Sequence, residues 1–551
     1  MSIPISIKEL IDWSNGAEEK NSELASWLNL LGFKERKGLA KFLSTPLVRD
    51  KSMARQILRS WSGRKLLDEV SDLILMDEDS SGESVLDTLE KLLNEKDEVT
   101  TFDLLNSLSV KAIHIDLDGW IEVANNWRSE LNKQQKLITD LVSINDLSVK
   151  REEMNVLPLE IKETEYELIS LTVSHRKEPL ILEVWNPSFR KKNRKNWVLL
   201  MPGLGGDRNH FNWLARSLSH NGWPVVVLDH PGSDSLALEA LVKGRLPLPG
   251  AEIIPERLND IDSILKAKKS GTIDLSAENV VLMGHSLGAL TAILASGVKI
   301  DDQLENRCQE VLDNLSLSNL SSLLQCQLID ITLSDTKGIE NLSAIVGMNS
   351  FGSFLWPKNL ENKINIPLFL TGGTFDLVTP SISEQLGLML ALSSSPLSRV
   401  LLIERASHFS PIRVEGQMNE SKGKDLFNLG ESIVGYHPLS VQSLLAFEII
   451  NFLEKLEENK RVPLNTNLTK GELKFHILDS NIIEELIQCE WKKEILDEFF
   501  KNFVKEQGIS FGLIGKPLRL ILTKRLTSPS ITFVMEVMGK KEVIKRLKDI
   551  W

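Results

Sequence analysis

Cysteine is scarce in this chain of 551 residues: Cys308, Cys326 and Cys489 form an odd, widely spaced set without a CxxC pair or a histidine at metal-binding spacing. Such a set indicates neither a disulfide framework nor a zinc site, and a reducing compartment fits it best. The opening residues, Met1-Ser-Ile-Pro-Ile-Ser-Ile-Lys-Glu9, lack a basic stretch followed by an apolar run, so no secretory signal is read there. Positive charge is also in deficit. With 64 Lys and Arg against 76 Asp and Glu the net charge is -12, and a surface of that sign repels phosphate backbones. Long uncharged runs are missing except for Asn279 to Val298, 20 residues that by length alone could cross a bilayer. Gly284, His285, Ser286 and Gly288 interrupt that run, and a β-branched stretch before them with an alanine-rich stretch after them reads as strand, turn and helix. No internal repeat is found. The expectation is a soluble, cytoplasmic protein without a transmembrane segment.

An apolar fraction of 42% and a charged fraction of 25% are those of a globular protein, and the length exceeds one core, so two to four domains are expected. Residues 1–150 show helical spacing, as at Ile7, Leu10, Ile11 and at Leu24, Trp27, Leu28, Leu31, which predicts an all-helical N-terminal domain. From about 160 to 460 the pattern changes. Alternating strands are read at Tyr166 to Val173 and Leu180 to Trp185, and then, after a basic loop at Lys191 to Lys195, strand and helix take turns. The strands are Trp197 to Met201, Val225 to Asp229, Val280 to Met283, Ala344 to Met348, Pro367 to Thr371 and Val400 to Glu404; the helices are Phe211 to Ser219, Ile261 to Lys268 and Leu287 to Ala295. Apolar strands alternating with helices predict an α/β fold, a doubly wound, mostly parallel sheet covered on both faces. A leucine-spaced helical stretch at 300–340 departs from the alternation and is read as a cap inserted over the sheet. Residues 461–488 are read as a C-terminal extension of the same domain.

The chemistry is carried by Gly284-His-Ser-Leu-Gly288, the G-x-S-x-G nucleophile elbow of the α/β-hydrolase fold, in its required strand-to-helix context. A serine on so sharp a turn sits in a strained conformation, and small residues two before and two after let strand and helix approach. Serine needs a base, and in this fold the order along the chain is serine, acid, histidine. Asp376 lies in a turn beyond the strand at 367–371 and His408 in the loop after the strand at 400–404, so Ser286, Asp376 and His408 are the candidate triad. Asp335 and Glu404 are alternative acids less well positioned relative to a strand end. His285 reads as a packing or hydrogen-bonding residue, and His114, His175, His210, His220, His230, His437 and His476 as surface or core residues. Charge that builds on an acyl oxygen calls for preorganised amide donors. The Leu287 N–H and, from the glycine-rich loop Met201-Pro-Gly-Leu204-Gly-Gly206, the Leu204 N–H are the candidates. No metal or other cofactor is called for.

Pro202-Gly-Leu-Gly205, Leu228-Asp-His-Pro-Gly-Ser-Asp234, the elbow and Ala406-Ser-His408-Phe together resemble the platelet-activating-factor acetylhydrolase and predicted dienelactone-hydrolase-like branch of the α/β-hydrolases. Residues 1 to about 130 resemble the domain of unknown function that precedes such hydrolases in photosynthetic bacteria. The resemblance covers most of residues 1–488 and implies the same triad and the same pair of amides. Its loops usually begin His-Gly where this chain has Pro202-Gly203. Dienelactone hydrolases use cysteine, so serine implies carboxylic esters or similar acyl compounds, and an apolar cap implies a lipid-like or otherwise apolar acyl group. Acyl transfer or thioester cleavage through the same triad, or a non-catalytic interaction protein with an RNA-binding tail, are the alternatives. Residues 489–551 hold 13 Lys and Arg against 8 Asp and Glu, a balance of +5 that leaves -17 for residues 1–488. Gly508 to Thr523 and Met538 to Leu547 in this basic tail resemble the C-terminal anticodon-binding region of a glutamyl-tRNA synthetase. Without nucleotide-binding motifs, synthetase activity is not implied, and the tail is read as an appended segment outside the catalysis.

Overall fold

In the computed structural model, residues 166–480 are described apart from 188–193, 244, 313–318, 320, 334–337, 358–362, 377 and 413–437. Before them it describes 2–14, 46–48, 74–75, 82–96, 99–108, 112–116 and a few positions between; after them, 510–523, 529–548 and a few more. Trp27, Leu28, Leu31, Lys191 to Asn193, Asp335, His437 and Cys489 lie outside the described residues.

The N-terminal region is not all-helical. Five short strands, β1 (Ser2–Ser6), β2 (Pro46–Val48), β3 (Ile74–Leu75), β4 (Val99–Thr100) and β5 (Ala112–Asp116), form two small sheets, ordered β1-β5-β3 and β2-β4. Their shortness hid them. In β1 and β5 the β-branched residues fall at every second position and pair across the strands, Ile3 with Ile115 and Ile5 with Ile113, yet five residues are outweighed by the helical spacing that starts at Ile7. That helix, Ile7–Ser14, is present, as are Gly82–Glu95 and Thr101–Ser107. The last begins in a reciprocal cap: the Thr100 hydroxyl accepts from the Asp103 N–H (3.0 Å) and the Asp103 carboxylate accepts from the Thr100 N–H (2.8 Å).

The remaining strands, β6 (Glu167–Leu171), β7 (Leu180–Trp185), β8 (Asn196–Met201), β9 (Val225–Leu228), β10 (Asn279–His285), β11 (Leu342–Met348), β12 (Leu368–Gly373), β13 (Arg399–Ile403), β14 (Asn465–Lys470) and β15 (Leu473–Leu478), make one sheet in the order β14-β15-β13-β12-β11-β10-β8-β9-β7-β6. From β9 to β13 all neighbours are parallel, and an antiparallel pair closes each edge. Every residue of β8, β9, β12 and β13 is buried, as expected when helices cover both faces. Side chains such as Trp197, Val226, Leu370 and Leu401 lose all or nearly all contact with solvent, each contributing roughly 1.5–3 kcal/mol of transfer free energy. Chain order reverses between β9 and β10, which lie on opposite sides of β8. The crevice at the carboxyl ends of β8 and β10 is therefore a topological switch point, where ligands bind in open α/β sheets.

Helices Leu304–Leu312 and Ser321–Gln327 occupy the 300–340 insertion. A disulfide joins them, Cys308 to Cys326. This overturns the expectation of unpaired cysteines and removes the ground for a reducing compartment. The two residues are 18 apart in sequence and meet only because the two helices pack together, so no local motif announces the bond. No helix among the described residues is long and apolar enough to cross a membrane.

Contacts divide the chain into two units, residues 1–480 and 481–551. In the second, the helix Phe511–Thr523 and the helical residues Ile531–Lys548, interrupted at Gly539, pack around Leu522, Ile531, Met535 and Val543.

Candidate functional site

Ser286 ends β10 and opens the helix Leu287–Ala295 with φ 52° and ψ -118°. This is left-handed backbone that a side-chain-bearing residue adopts only when its surroundings impose it. Both glycines of the pattern have a steric reason. A Cβ on Gly284 would lie 2.3 Å from the Gly288 carbonyl carbon, and one on Gly288 would lie 2.2 Å from the Met201 oxygen of β8.

The structure brings the three residues singled out in the sequence together. His408 Nε2 lies 3.1 Å from Ser286 Oγ and His408 Nδ1 lies 3.0 Å from Asp376 Oδ2. Asp376 is fully buried, and its carboxylate also accepts from Asn349 Nδ2 (2.7 Å), the Val378 and Thr379 amides (2.9 and 2.8 Å) and Thr379 Oγ1 (2.6 Å). Burial alone would raise its pKa. His408 opposite, and the hydrogen bonds from His408 and Thr379, outweigh burial and hold the carboxyl below the usual range, so it is ionised beside the imidazole. Glu404, the alternative acid, is engaged elsewhere, 3.0 Å from His476 Nε2. His285 donates from Nε2 to the His408 carbonyl (2.9 Å), which fixes the loop that bears His408. Burial, aided by the neighbouring His408, pushes the His285 pKa down to about 3, so this ring is neutral and is no competing base.

Leu204 and Leu287 flank the serine from β8 and from the helix. Within the glycine-rich loop the Gly205 N–H donates to the Ser233 carbonyl (2.7 Å) and the Gly206 N–H to the Gly203 carbonyl (3.2 Å). Among the described residues the Leu204 N–H meets no protein acceptor. The Leu287 N–H is the first amide of its helix, where no carbonyl one turn back exists to accept it. Both amides are thus available to a ligand. A small cleft of about 30 Å³ opens beside Ser286 and His408, walled by Leu204, His210, Phe211, Phe409 and Ile412. None of the described residues of the 300–340 insertion lines it. Its described part instead supports the loops behind the acid. The Ser321 N–H donates to the Val378 carbonyl (3.1 Å), and Asn319, Ser321 and Gln325 reach Glu384, which also accepts from the Gly352 and Ser353 amides.

Three supporting residues escaped the sequence reading: Asn349, Thr379 and Arg257. The first two surround Asp376, Asn349 at a positive φ of 48° just after β11. An asparagine at a strand end and a threonine three residues after an aspartate carry weak turn signals at most. Among the described residues no group of three or more His, Cys, Asp or Glu side chains converges so as to hold a metal ion.

Comparison with known proteins agrees with this architecture in part. Residues 1–116 match the model of an alpha/beta hydrolase of unknown function (DUF1400), and the match ends before the sheet that carries Ser286. Residues 450–551 match an anticodon binding domain. Similar proteins include a glutamate–tRNA ligase of Syntrophotalea carbinolica, 32% identical over 85 residues, 14% of this chain and 18% of that protein. Another is glutamate–tRNA ligase 1 of Beijerinckia indica, 43% identical over 60 residues, 11% and 13% of the two chains. A third, from Nitrosomonas eutropha, is 35% identical over 68 residues, 12% and 15%. The chain spans less than a fifth of the length of these relatives. The sheet and helices are those of the α/β class, residues 1–116 are similar to an alpha/beta hydrolase of unknown function, and the last segment is similar to an anticodon binding domain. The anticodon match crosses a structural boundary: residues 450–478 lie within it, yet β14 and β15 are hydrogen-bonded into the ten-stranded sheet.

Proposed function

We propose that the protein is a serine hydrolase of carboxylic esters, and the observation that carries this reading is the unbroken relay from Ser286 through His408 to Asp376 on a strained elbow. In this reading Ser286 Oγ adds to the ester carbonyl carbon while His408 Nε2 takes its proton, and Asp376 orients the ring and balances the imidazolium. The carbonyl electron pair moves onto oxygen and is met by the Leu204 and Leu287 amides. Collapse re-forms the carbonyl and breaks the bond to the leaving oxygen, which receives the proton held by His408, and the acyl group stays on Ser286. Water then follows the same route: His408 takes its proton, its oxygen adds to the acyl carbon, and Ser286 departs with the proton as the carboxylic acid is released.

The walls formed by Leu204, Phe211, Phe409 and Ile412 support an apolar acyl group. This accords with a position in the platelet-activating-factor acetylhydrolase and dienelactone-hydrolase-like branch. Fluorophosphonate labelling and a panel of p-nitrophenyl esters of increasing acyl length test the reading. The expected result is covalent labelling of Ser286 and faster turnover of uncharged apolar acyl groups than of charged ones. A steady fall in rate from acetyl upward, with charged water-soluble esters preferred, would sink the apolar-acyl part; an unlabelled, inert protein would sink the whole.

For the C-terminal segment, its anticodon-binding match and its balance of +5 over residues 489–551 support RNA binding as a second reading. Retention of tRNA that weakens steeply with salt is its signature. Failure to retain tRNA at low salt would leave an appended segment with no RNA partner.

A further inference from the structure

The helix Ile254–Lys269 packs against the nucleophile helix and carries two buried charged residues, Arg257 and Asp260. Asp260 is fully met by others. Its carboxylate accepts from Arg176 Nε and Nη2 (2.6 and 2.7 Å), from His175 Nε2 (2.7 Å) and from His230 Nδ1 (2.8 Å). Arg257 makes no carboxylate hydrogen bond among the described residues. Its guanidinium donates instead to three neutral oxygens: Nη2 to the Pro202 carbonyl (2.6 Å), Nη1 to Ser233 Oγ (2.8 Å) and Nε to Thr291 Oγ1 (3.0 Å).

Each of these acceptors leads to the candidate oxyanion hole. The Pro202 carbonyl belongs to the peptide that ends at Gly203 N, one residue before Leu204. Ser233 holds the same loop through its own carbonyl, which accepts the Gly205 N–H at 2.7 Å. The Thr291 hydroxyl donates to the Leu287 carbonyl at 2.7 Å. One buried cation thus reaches the segments bearing both candidate amides, from β8 on one side and from the nucleophile helix on the other. Burial is costly for a charge, and here it pushes the arginine pKa down to about 9, which still leaves it protonated at neutral pH. Asp260 and Asp234 offset the charge of Arg257 without bonding it, so its hydrogen bonds serve to fix the backbone just before Leu204 and, through Thr291, just after the Leu287 amide.

We propose that Arg257 is the positioning residue of the oxyanion hole, holding the Leu204 and Leu287 amides in register for the oxygen that becomes negative. The inference rests on the reading of Ser286 as the acyl-accepting nucleophile. The test compares the full-length wild type with Arg257→Met, Arg257→Lys and Thr291→Val, each verified as folded. Measured are kcat and KM on a p-nitrophenyl ester, and the affinities for an aryl trifluoromethyl ketone, which adds Ser286 to form an oxyanion, and for the matching methyl ketone, which does not.

Loss of an oxyanion donor costs about a hundredfold to a thousandfold in kcat. Arg257→Met is expected to lose on the order of a hundredfold in kcat and as much in trifluoromethyl ketone affinity, with KM and methyl ketone affinity nearly unchanged. Arg257→Lys, which keeps the charge and part of the donor set, is expected to recover some of both, and Thr291→Val to lose roughly tenfold. Normal kcat and trifluoromethyl ketone affinity in the variants would overturn the proposal. Equal losses for both ketones would also overturn it, because they report general damage to the cleft. Should Arg257→Met fail to fold, Thr291→Val decides alone by the same two criteria. An active wild type with unaffected variants removes only the role of Arg257, whereas a wild type that is neither labelled nor active removes the esterase reading and this one with it.

Discussion

Ser286 has a hydroxyl that only a neighbouring base can activate, and in the proposed reading that work falls to His408, whose Nε2 lies 3.1 Å from it. Ser286→Ala should abolish fluorophosphonate labelling and lower turnover by about a millionfold, while substrate still binds. His408→Ala should be almost as damaging. Asp376→Asn should cost on the order of ten-thousandfold, since it misorients the ring without removing it. His285→Ala and His230→Ala should cost far less, because neither ring faces the serine oxygen: His285 is bonded to a backbone carbonyl and His230 to Asp260. Near-normal labelling of a folded His408→Ala protein would reassign the base. The meeting of Ser286, His408 and Asp376 was legible in the sequence because an elbow needs glycine at two fixed positions and the proposed fold sets the order of its partners. Arg257 was not. An arginine among Glu256, Asn259 and Asp260 on an amphipathic helix reads as part of a solvated face, and only the packing of that helix against Thr291 and Pro202 reveals a buried charge.

Among the elements, the insertion at 300–340 was anticipated as helical, and two helices stand there; its described residues pack behind the acid, and its two cysteines are joined. Closing a loop of 18 residues restricts the unfolded chain by roughly 3 kcal/mol. Cys308→Ala or a reducing agent should therefore destabilise the hydrolase unit by about that amount, seen as an earlier thermal transition. Turnover of a small ester should change little, because the bond lies outside the cleft. Three titratable thiols in the denatured, unreduced protein, instead of the single thiol of Cys489, together with melting unchanged by reductant, would show that the bond does not form. Most strands of the large sheet were visible in advance within one to three residues, since buried parallel strands are continuous apolar runs bounded by turn residues. The strands that escaped, β1 to β5 and the hairpin β14–β15, are short or polar on alternate positions. In β14, Asn465-Thr-Asn-Leu-Thr-Lys470 has a single aliphatic residue, and its strand state comes from pairing with β15 rather than from its own composition.

At the scale of the molecule, acid should be the first stress to which the hydrolase unit yields. Burial, with the Arg257 charge, pushes the His230 pKa down to about 4, and burial with His408 takes His285 to about 3. An unfolded histidine takes up its proton near 6.5. Between 6.5 and these lower values the unfolded chain binds more protons, so the contribution is whole above pH 6.5 and is lost as pH falls. Asp229 runs the other way. Burial raises its pKa to about 6 against the pull of Arg208, so its effect on stability declines as pH climbs from about 4 to 6. Two histidines with larger shifts outweigh it, and a net loss on the order of 3 kcal/mol is expected between pH 6.5 and 4.5. Denaturant melts of the wild type and His230→Asn, which should lose less, check the sign; a flat profile would refute it. A second prediction concerns the boundary of the two units. A chain ending at Ser480 should keep its esterase activity, whereas one ending at Ile449, where the anticodon-binding match begins, should be insoluble. The shorter chain loses β14, β15 and the buried Ile450, Phe452 and Leu453. Equal activity of both would move the boundary to the sequence match. Composition had marked off a basic tail at 489, close to this division, because charge balance changes where the contacts end. The pairing of β13 with β15 also bears on how the protein is made. The edge of the parallel core stays open until residues 473–478 have left the ribosome, so an incomplete nascent chain exposes the apolar β13 to any strand that meets it. At about 5–20 residues per second, every ten residues added after Leu478 give β15 about 0.5–2 s in which to dock while the chain is still tethered and kept apart from its neighbours.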